Sequence, residues 1–537
     1  MDLAEIIKKI IDNPDDGNEY AMLGDEYLDE GNVNRAYLCY EYADYLSSGD
    51  FKKETAQKMT FCKSSPDFSV HPASFIILSY RIKDIMQECL NAIRNCCIPG
   101  SYEVIIVDSS PADDDVRKWL KEQKDITLVL NDRFGGFSAG CNQGVKLAKP
   151  DNDIFLLNND AILTPRAFFY MRLALYGDKK TGAVGPVSAN VIEEQLYDTS
   201  KRTHDEWLAL ASSVNQPSLN PIQFAHWLQG HALLIKRSVW DYAGMMDEGF
   251  KFGGHEDIEY GIRLNTLGFK LAICKNAFIY HYGSTSLKTV DSLYSEAKRK
   301  NEIIFGNKFN FPLEAINESR YYGALSFISA EASAPLNVLM IYGECANFLN
   351  LVKYKFPNSN LYAIESNPIY VKIASNYSEA YCMDIEKDAL PFENKLFDYV
   401  FFCGVERCGD LMSVLSGLKP IMSAKGHLIL IAKNANHISV IDALIHGTLN
   451  AKLLNGNTRS YTTDDLHNIL ASCGFGISRL RWTYSSSLAN LTESQQQTLD
   501  AISTLPNAKD RNTYLHTGTL IDATVPNSSA TSNSRFS

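Results

Sequence analysis

Residues 153–165 read Asp-Ile-Phe-Leu-Leu-Asn-Asn-Asp-Ala-Ile-Leu-Thr-Pro. The apolar run at 154–157 has the length and density of a buried strand. It stops at Asn158, Asn159 and Asp160. Open α/β sheets bind ligands outside the carboxyl ends of their strands, so these side chains stand where a ligand would be met. A carboxylate there can hold a hard divalent cation, and the cation can neutralise a diphosphate. Taken alone, the triplet reads first as an Asx-type turn that satisfies backbone amides. The flanking sequence decides between the two readings.

Upstream the pattern repeats. Residues 74–80 (Ser-Phe-Ile-Ile-Leu-Ser-Tyr) and 102–108 (Tyr-Glu-Val-Ile-Ile-Val-Asp) read as buried strands, the second ending in Asp108. Helical spacing covers 83–97 and 116–123, and a short strand covers 126–130. A glycine-rich turn at 135–140 opens a helix that runs to residue 148. Such alternation predicts a mainly parallel sheet. Glycines before a helix permit tight backbone geometry or offer amides to phosphate. Their spacing is not G-x-G-x-x-G, which argues against a dinucleotide fold.

Downstream come a helix after Pro165, a strand near 182–187, an irregular polar stretch at 193–221 and an apolar run at 226–235. In residues 250–264 two glycines precede Glu256 and Asp257 at a helix start. The helix dipole favours acids there, and one of them can serve as a general base. A strand at 278–280 ends in His281, a candidate metal ligand.

The chain has 537 residues and a formal net charge of −12, with 45% apolar and 21% charged residues. That length predicts about three or four domains. The acidity speaks against nonspecific binding to nucleic acid or anionic membrane. The first residues lack a signal-peptide core, and no apolar run approaches a membrane span. Twelve cysteines without a C-x-x-C pair predict reduced thiols and a cytoplasmic protein, with no disulfide framework and no zinc site.

Residues 1–50 carry Tyr20, Leu23, Gly24, Tyr27, Ala36, Tyr40 and Ala43 at the spacing of one tetratricopeptide-like hairpin. A single repeat cannot bury its face alone, so it is expected to dock on the next domain or on a partner. A generic helical hairpin fits these residues equally well. Residues 52–71 read as a linker.

Taken together, residues 72–320 resemble a glycosyltransferase family 2 domain with the GT-A fold, the motifs themselves falling within about 72–300. Residues 74–80 and 105–110 resemble the nucleotide-binding strands, and 136–144 the glycine- and asparagine-containing segment. Residues 156–160 resemble the metal-binding strand end, 228–235 the acceptor-side strand, 255–264 the E-D motif and 280–286 the closing H-x-x-G-x-S. The resemblance implies inverting transfer of a sugar from a nucleotide-diphosphate sugar by one displacement. Asp257 is then the general base, supported by Glu256. Asp160 and His281 hold a divalent cation, Mn²⁺ or Mg²⁺. Ser79, Tyr80, Asp108, Gly136, Asn142, Asn158 and Asn159 join Asp160 on the donor side, with Asp108 on base or ribose. Trp227, Gly230 and His231 lie on the acceptor side. Asn158 stands where many members carry aspartate, so diphosphate oxygens supply more of the cation's shell. UDP-N-acetylglucosamine is the first expectation for the donor, and a protein hydroxyl, as on flagellin, for the acceptor. A dTDP-sugar such as rhamnose and a surface polysaccharide acceptor stay open. So do a bifunctional enzyme, a non-catalytic scaffold and a homo-oligomer.

Residues 335–485 resemble a class I S-adenosylmethionine methyltransferase domain. Its cofactor loop departs from the family. Met340 replaces the acid, and Tyr342, Glu344 and Ala346 occupy the glycine positions, while Glu365 keeps the ribose-binding acid. The turn geometry is therefore expected to be lost, and S-adenosylmethionine is not expected as a cofactor. This domain and the N-terminal hairpin are expected to serve acceptor recognition or assembly. Residues 487–537 read as a polar tail, disordered from 524 on.

Overall fold

The computed structural model describes residues 2–191, 194–198, 202–283, 291–316, 319–447, 459–483, 487–506 and 508–526. The chain divides into two compact units, Met1–Leu313 and Glu314–Ser537.

In chain order the strands of the first unit are β1 (Ala73–Ser79), β2 (Tyr102–Asp108), β3 (Thr127–Leu130), β4 (Asp153–Asn158), β5 (Ala161–Ile162), β6 (Thr181–Ala189), β7 (Leu196–Asp198), β8 (Ile222–Ala225), β9 (Ala232–Ile235) and β10 (Lys270–His281). They form one sheet in the order β3-β2-β1-β4-β9-β6-β10-β5, with β7 on β6 and β8 on β10. The β3-β2-β1-β4 half is parallel. Beyond β4 the sheet is mixed, because β9 runs antiparallel to both β4 and β6.

The apolar runs follow from burial on both faces. Phe75, Ile77, Phe155 and Leu157 enter one core, and the alternate residues Ile76, Ile154 and Leu156 enter another. The register aligns the strand ends: Ser79 pairs with Asp108, and Leu78 with Asn158.

Four helices precede the sheet: Leu3–Asp12, Gly17–Asp29, Val33–Leu46 and Gly49–Lys63. The fourth lies within the stretch that reads as a linker. It buries only Thr55 and Cys62, so its composition hides it. The helices dock on the Ala167–Leu175 helix of the same unit. Tyr42 stacks on Phe169 at 4.5 Å, and Tyr20 meets that ring edge-on at 5.6 Å. Arg172 pairs with Glu41, both largely buried. The irregular stretch after residue 193 also contains a helix, His204–Val214, started by a Thr203–Glu206 capping box.

Gly24 shows how closely the second and third helices pack. A Cβ at this position would lie 2.6 Å from the ring of Tyr40, whose hydroxyl is held by Asp25 at 2.7 Å. Overpacking should outweigh the roughly 1 kcal/mol of helix propensity that leaving glycine gains. Gly24→Val is expected to destabilise the unit by about 1–3 kcal/mol, read as a lower denaturant midpoint at unchanged slope.

The second unit has β11 (Asn337–Ile341), β12 (Asn360–Glu365), β13 (Glu379–Cys382), β14 (Phe397–Cys403), β15 (Met422–Lys433), β16 (Gly476–Trp482) and β17 (Gly518–Thr524). Their order is β13-β12-β11-β14-β15-β17-β16. β17 is antiparallel to both neighbours, and β11 to β15 are mutually parallel.

The stretch that reads as a polar tail therefore supplies an internal strand, and the Glu493–Ser503 helix besides. Asp522 within β17 is fully buried. It is satisfied by Arg479 Nε at 3.0 Å and His427 Nδ1 at 2.8 Å. Of the end expected to be disordered, residues 527–537 lie outside the described residues.

Candidate functional site

Two antiparallel pairs on β10 bring together residues far apart in sequence. His281 pairs with Ala161 and Tyr280 with Ile162. The Tyr282 amide donates to the Asp160 carbonyl at 3.0 Å. This register sets His281 Nε2 3.3 Å from Asp160 Oδ1, both side chains buried. The His231 ring lies 5.0 Å from that of His281, and its Nε2 shares a hydrogen bond of 2.7 Å with Ser188 Oγ. Burial and the neighbouring His281 hold the His231 imidazole well below its ordinary pKa, so it is neutral.

Gly230 and His231 are adjacent, and they link the two chemical centres. The His231 carbonyl accepts from the Asn158 amide at 2.9 Å, at the end of β4. The Gly230 amide donates to Asp257 Oδ2 at 3.0 Å. Asp257 Oδ1 accepts from the Ile258 amide at 2.9 Å. Gly230 thus holds the expected base, and the adjacent His231 holds the end of β4 that precedes Asp160.

Glu256 and Asp257 begin the Glu256–Thr266 helix. Glu256 is buried, and its Oε2 has no hydrogen-bond partner among the described residues. Burial raises the pKa of both acids, and for Glu256 the neighbouring Asp257 charge raises it further. The two backbone donors on Asp257 favour its ionised form. Glu256 is thus the more strongly raised of the pair, and Asp257, the less buried and held by two backbone amides, is the acid that ionises first.

The remaining expected residues fall into two groups. Ser79 is buried with its hydroxyl unpartnered, and Tyr80 is half-buried, its ring under the Arg81 guanidinium at 5.2 Å. Asn158 is half-buried and Asn159 buried at the strand end. These remain at the crevice.

Asp108 does not. It is fully buried, with Oδ2 accepting from Arg117 Nε at 2.7 Å and Oδ1 from Ser110 Oγ at 2.7 Å. The Ser110 hydroxyl also accepts from the Arg81 amide at 2.7 Å. Asp108 therefore fixes the turns after β1 and β2 and presents no surface to a base or ribose. Asn142 is likewise spent within the protein: its amide donates to the Met246 carbonyl and to Glu248, and its oxygen accepts from the Met246 amide. Gly136, with φ of 101°, lies against the Phe252 backbone, where a Cβ would meet Phe252 N at 3.2 Å. Asn142 and Gly136 thus brace the loop before Glu256.

Trp227 is half-buried, clamped from behind because Gly261 leaves room for its backbone; a Cβ there would sit 2.7 Å from Trp227 Cα. Residues 284–286 of the closing motif lie outside the described residues.

Among the described residues no group of three or more His, Cys, Asp or Glu side chains could hold a metal ion. Among the described residues the candidate ligands for a cation are the Asp160–His281 pair. That pair fits a divalent ion whose other ligands are diphosphate oxygens and water.

The strand order, with an antiparallel β9 between β4 and β6, and the acid just beyond the end of β4 give the first unit the architecture expected of a GT-A domain. Residues 71–295 match the family model described as glycosyltransferase like family 2. No curated protein matches the chain. A structure of GalNAc-T7 with UDP, GalNAc and Mn²⁺ is similar at 14% identity and a TM-score of 0.31, over 39% of this chain and 43% of that one. The chain thus spans less than half the length of that protein. A SAM dependent methyltransferase from Archaeoglobus fulgidus is similar at 16% identity and a TM-score of 0.30, over 41% of this chain and 98% of that one. An S-adenosylmethionine dependent methyltransferase from Mesorhizobium loti is similar at 13% identity and a TM-score of 0.28, over 38% of this chain and 98% of that one.

The loop after β11 in the second unit bears on one expectation. Tyr342, Glu344 and Ala346 have φ of 55°, 59° and 59°. The left-handed turn that glycines would form survives without them. Each such residue costs roughly 1–2 kcal/mol, and tertiary contacts hold them in place. The Ile385 amide donates to the Tyr342 hydroxyl at 2.9 Å, and Arg407 pairs with Glu344 at 3.0 Å. Met340, in place of the acid, fills the space beside Gly343, where a Cβ would meet its side chain at 2.3 Å.

Proposed function

We propose that this protein transfers a sugar from a nucleotide-diphosphate sugar to an acceptor hydroxyl with inversion, using Asp257 as base and a divalent cation at Asp160 and His281. The Gly230–His231 link supports this reading, because adjacent residues hold the proposed base and the strand end that precedes Asp160. The reaction needs both groups near one another: the acceptor oxygen loses its proton on one side of the anomeric carbon while diphosphate leaves on the other. When bound, the cation would stabilise charge on the departing diphosphate. Ser79 and Asn159 line the donor side. Glu256, protonated and buried, adds no charge that would compete with Asp257 for the proton.

UDP-N-acetylglucosamine is the donor we favour, with a protein hydroxyl such as one on flagellin as acceptor; dTDP-rhamnose and a surface polysaccharide are the second reading. Nucleotide sugars incubated with Mn²⁺ are expected to release nucleoside diphosphate, most from the UDP sugar. A panel with no turnover would remove the reading. The pH–rate profile is a further check. Asp257 must be ionised to act, and burial raises its pKa. Activity should therefore rise with pH through an apparent pKa above the ordinary carboxylate value near 3.9, one that belongs to the Glu256–Asp257 pair.

The second unit is, in this reading, a non-catalytic module for acceptor recognition or assembly. Its left-handed turn is built from Tyr342, Glu344 and Ala346, whose side chains add bulk and charge where a cofactor loop relies on glycine. Calorimetric titration with S-adenosylmethionine and S-adenosylhomocysteine is expected to show no micromolar binding. Binding of either would make the enzyme bifunctional.

A further inference from the structure

The loop before the proposed base is an unusual piece of backbone. Phe252, Gly253, Gly254 and His255 have successive φ values of 62°, 115°, 97° and 74°. Two of the four are not glycine, so the run carries strain that something else must hold. The His255 carbonyl accepts from the Glu259 amide of the helix that follows, and the carbonyls before it need another donor.

One side chain supplies it. Asn301, on the Asp291–Phe309 helix, is buried at 1% exposure. Its amide nitrogen lies 3.2 Å from the Lys251 carbonyl, 3.3 Å from Gly253 and 2.9 Å from Gly254. The same helix reaches this region twice more. Glu302 Oε1 lies 3.6 Å from His255 Nε2. Lys308 lies 2.6 Å from Asp247 and 2.9 Å from the fully buried Glu259. From the other side, Gly136 closes on the Phe252 backbone. The loop is thus gripped between the glycine segment and the Asp291–Phe309 helix, and Asp257 follows directly after it.

We infer that Asn301 is a positioning residue for glycosyl transfer: it holds the 251–255 loop so that Asp257 meets the acceptor hydroxyl. This rests on the reading of Asp257 as base. Asn301 touches no reacting atom, and its three contacts are all to backbone, so its effect on rate should pass through Asp257. Misplacing a catalytic group by about 1 Å can cost on the order of a hundredfold.

The test is a double-substitution cycle on the full-length protein, read by UDP release from UDP-N-acetylglucosamine with Mn²⁺, or by dTDP release from dTDP-rhamnose if that sugar is the one turned over. Asn301→Ala is expected to lower kcat at least tenfold with donor KM changed less than threefold. In the Asp257→Asn background the same change should cost under threefold, because the group it positions is already disabled. Asn301→Gln, which keeps the donor on a longer stem, should recover part of the loss.

Hydrogen exchange of the amides at 251–258 should quicken in Asn301→Ala while those of β1 and β2 do not change. This readout needs no donor, so it decides the inference even if neither sugar nucleotide is turned over. Equal losses in both backgrounds, or exchange that rises throughout the unit, would overturn the inference. An Asp257→Asn protein of full activity would instead remove the reading of the base, a result that the Asn301 exchange data cannot produce.

Discussion

Asp257→Asn is expected to reduce sugar transfer about a hundredfold or more while leaving nucleotide-sugar affinity nearly unchanged. The substitution keeps the shape of the side chain and removes its basicity. It also leaves one acceptor oxygen where the carboxylate has two, each holding a backbone amide, from Gly230 and from Ile258. Affinity should survive because the proposed donor contacts lie at the ends of β1 and β4. Glu256→Gln is the control. Glu256 is already buried and held protonated by burial and by the Asp257 charge, so an amide resembles what is there, and activity should stay within a few-fold. The reverse pattern, with Glu256→Gln inactive and Asp257→Asn active, would exchange the two roles.

The parallel half of the sheet was legible because burial on both faces writes each strand as an unbroken apolar run. β17 was not legible for the opposite reason. Gly-Thr-Leu-Ile-Asp-Ala-Thr carries a charge at Asp522, and only the fold reveals that Arg479 and His427 neutralise it. The Gly49–Lys63 helix was missed because so little of it is buried.

At the site, sequence order found the groups on strand ends and helix starts, where position along an element implies direction. It could not tell an acid that meets a ligand from an acid that meets its own chain. Asp108 and Asp160 look alike in sequence; Arg117, on the helix after β2, is what separates them. A guanidinium nine residues beyond a strand-end acid was the available signal. Asn142 failed likewise, its partners lying more than a hundred residues away. Asn301 carries no sequence signal, since its contacts are to carbonyls that any residues would supply.

Asp160→Ala should cost about 2–4 kcal/mol of transition-state stabilisation, seen as a fall in kcat/KM of roughly thirtyfold to a thousandfold. Asn158 and Asn159 carry no charge, so Asp160 is the one carboxylate of the strand end, and His281 is its proposed companion for a cation. A shell with two protein groups depends heavily on each. With Asp160 removed, the cation would be held by His281 and the diphosphate, and leaving-group charge would be poorly met. His281→Ala should weaken turnover in the same direction and raise the Mn²⁺ concentration needed for half activity. It should cost less than Asp160→Ala, because a neutral imidazole offsets no cationic charge. Excess EDTA should abolish nucleoside diphosphate release, and added Mn²⁺ should restore it. Full activity in EDTA would show that the departing diphosphate is stabilised without a cation, and Asp160 would then be left as the structural partner of His281.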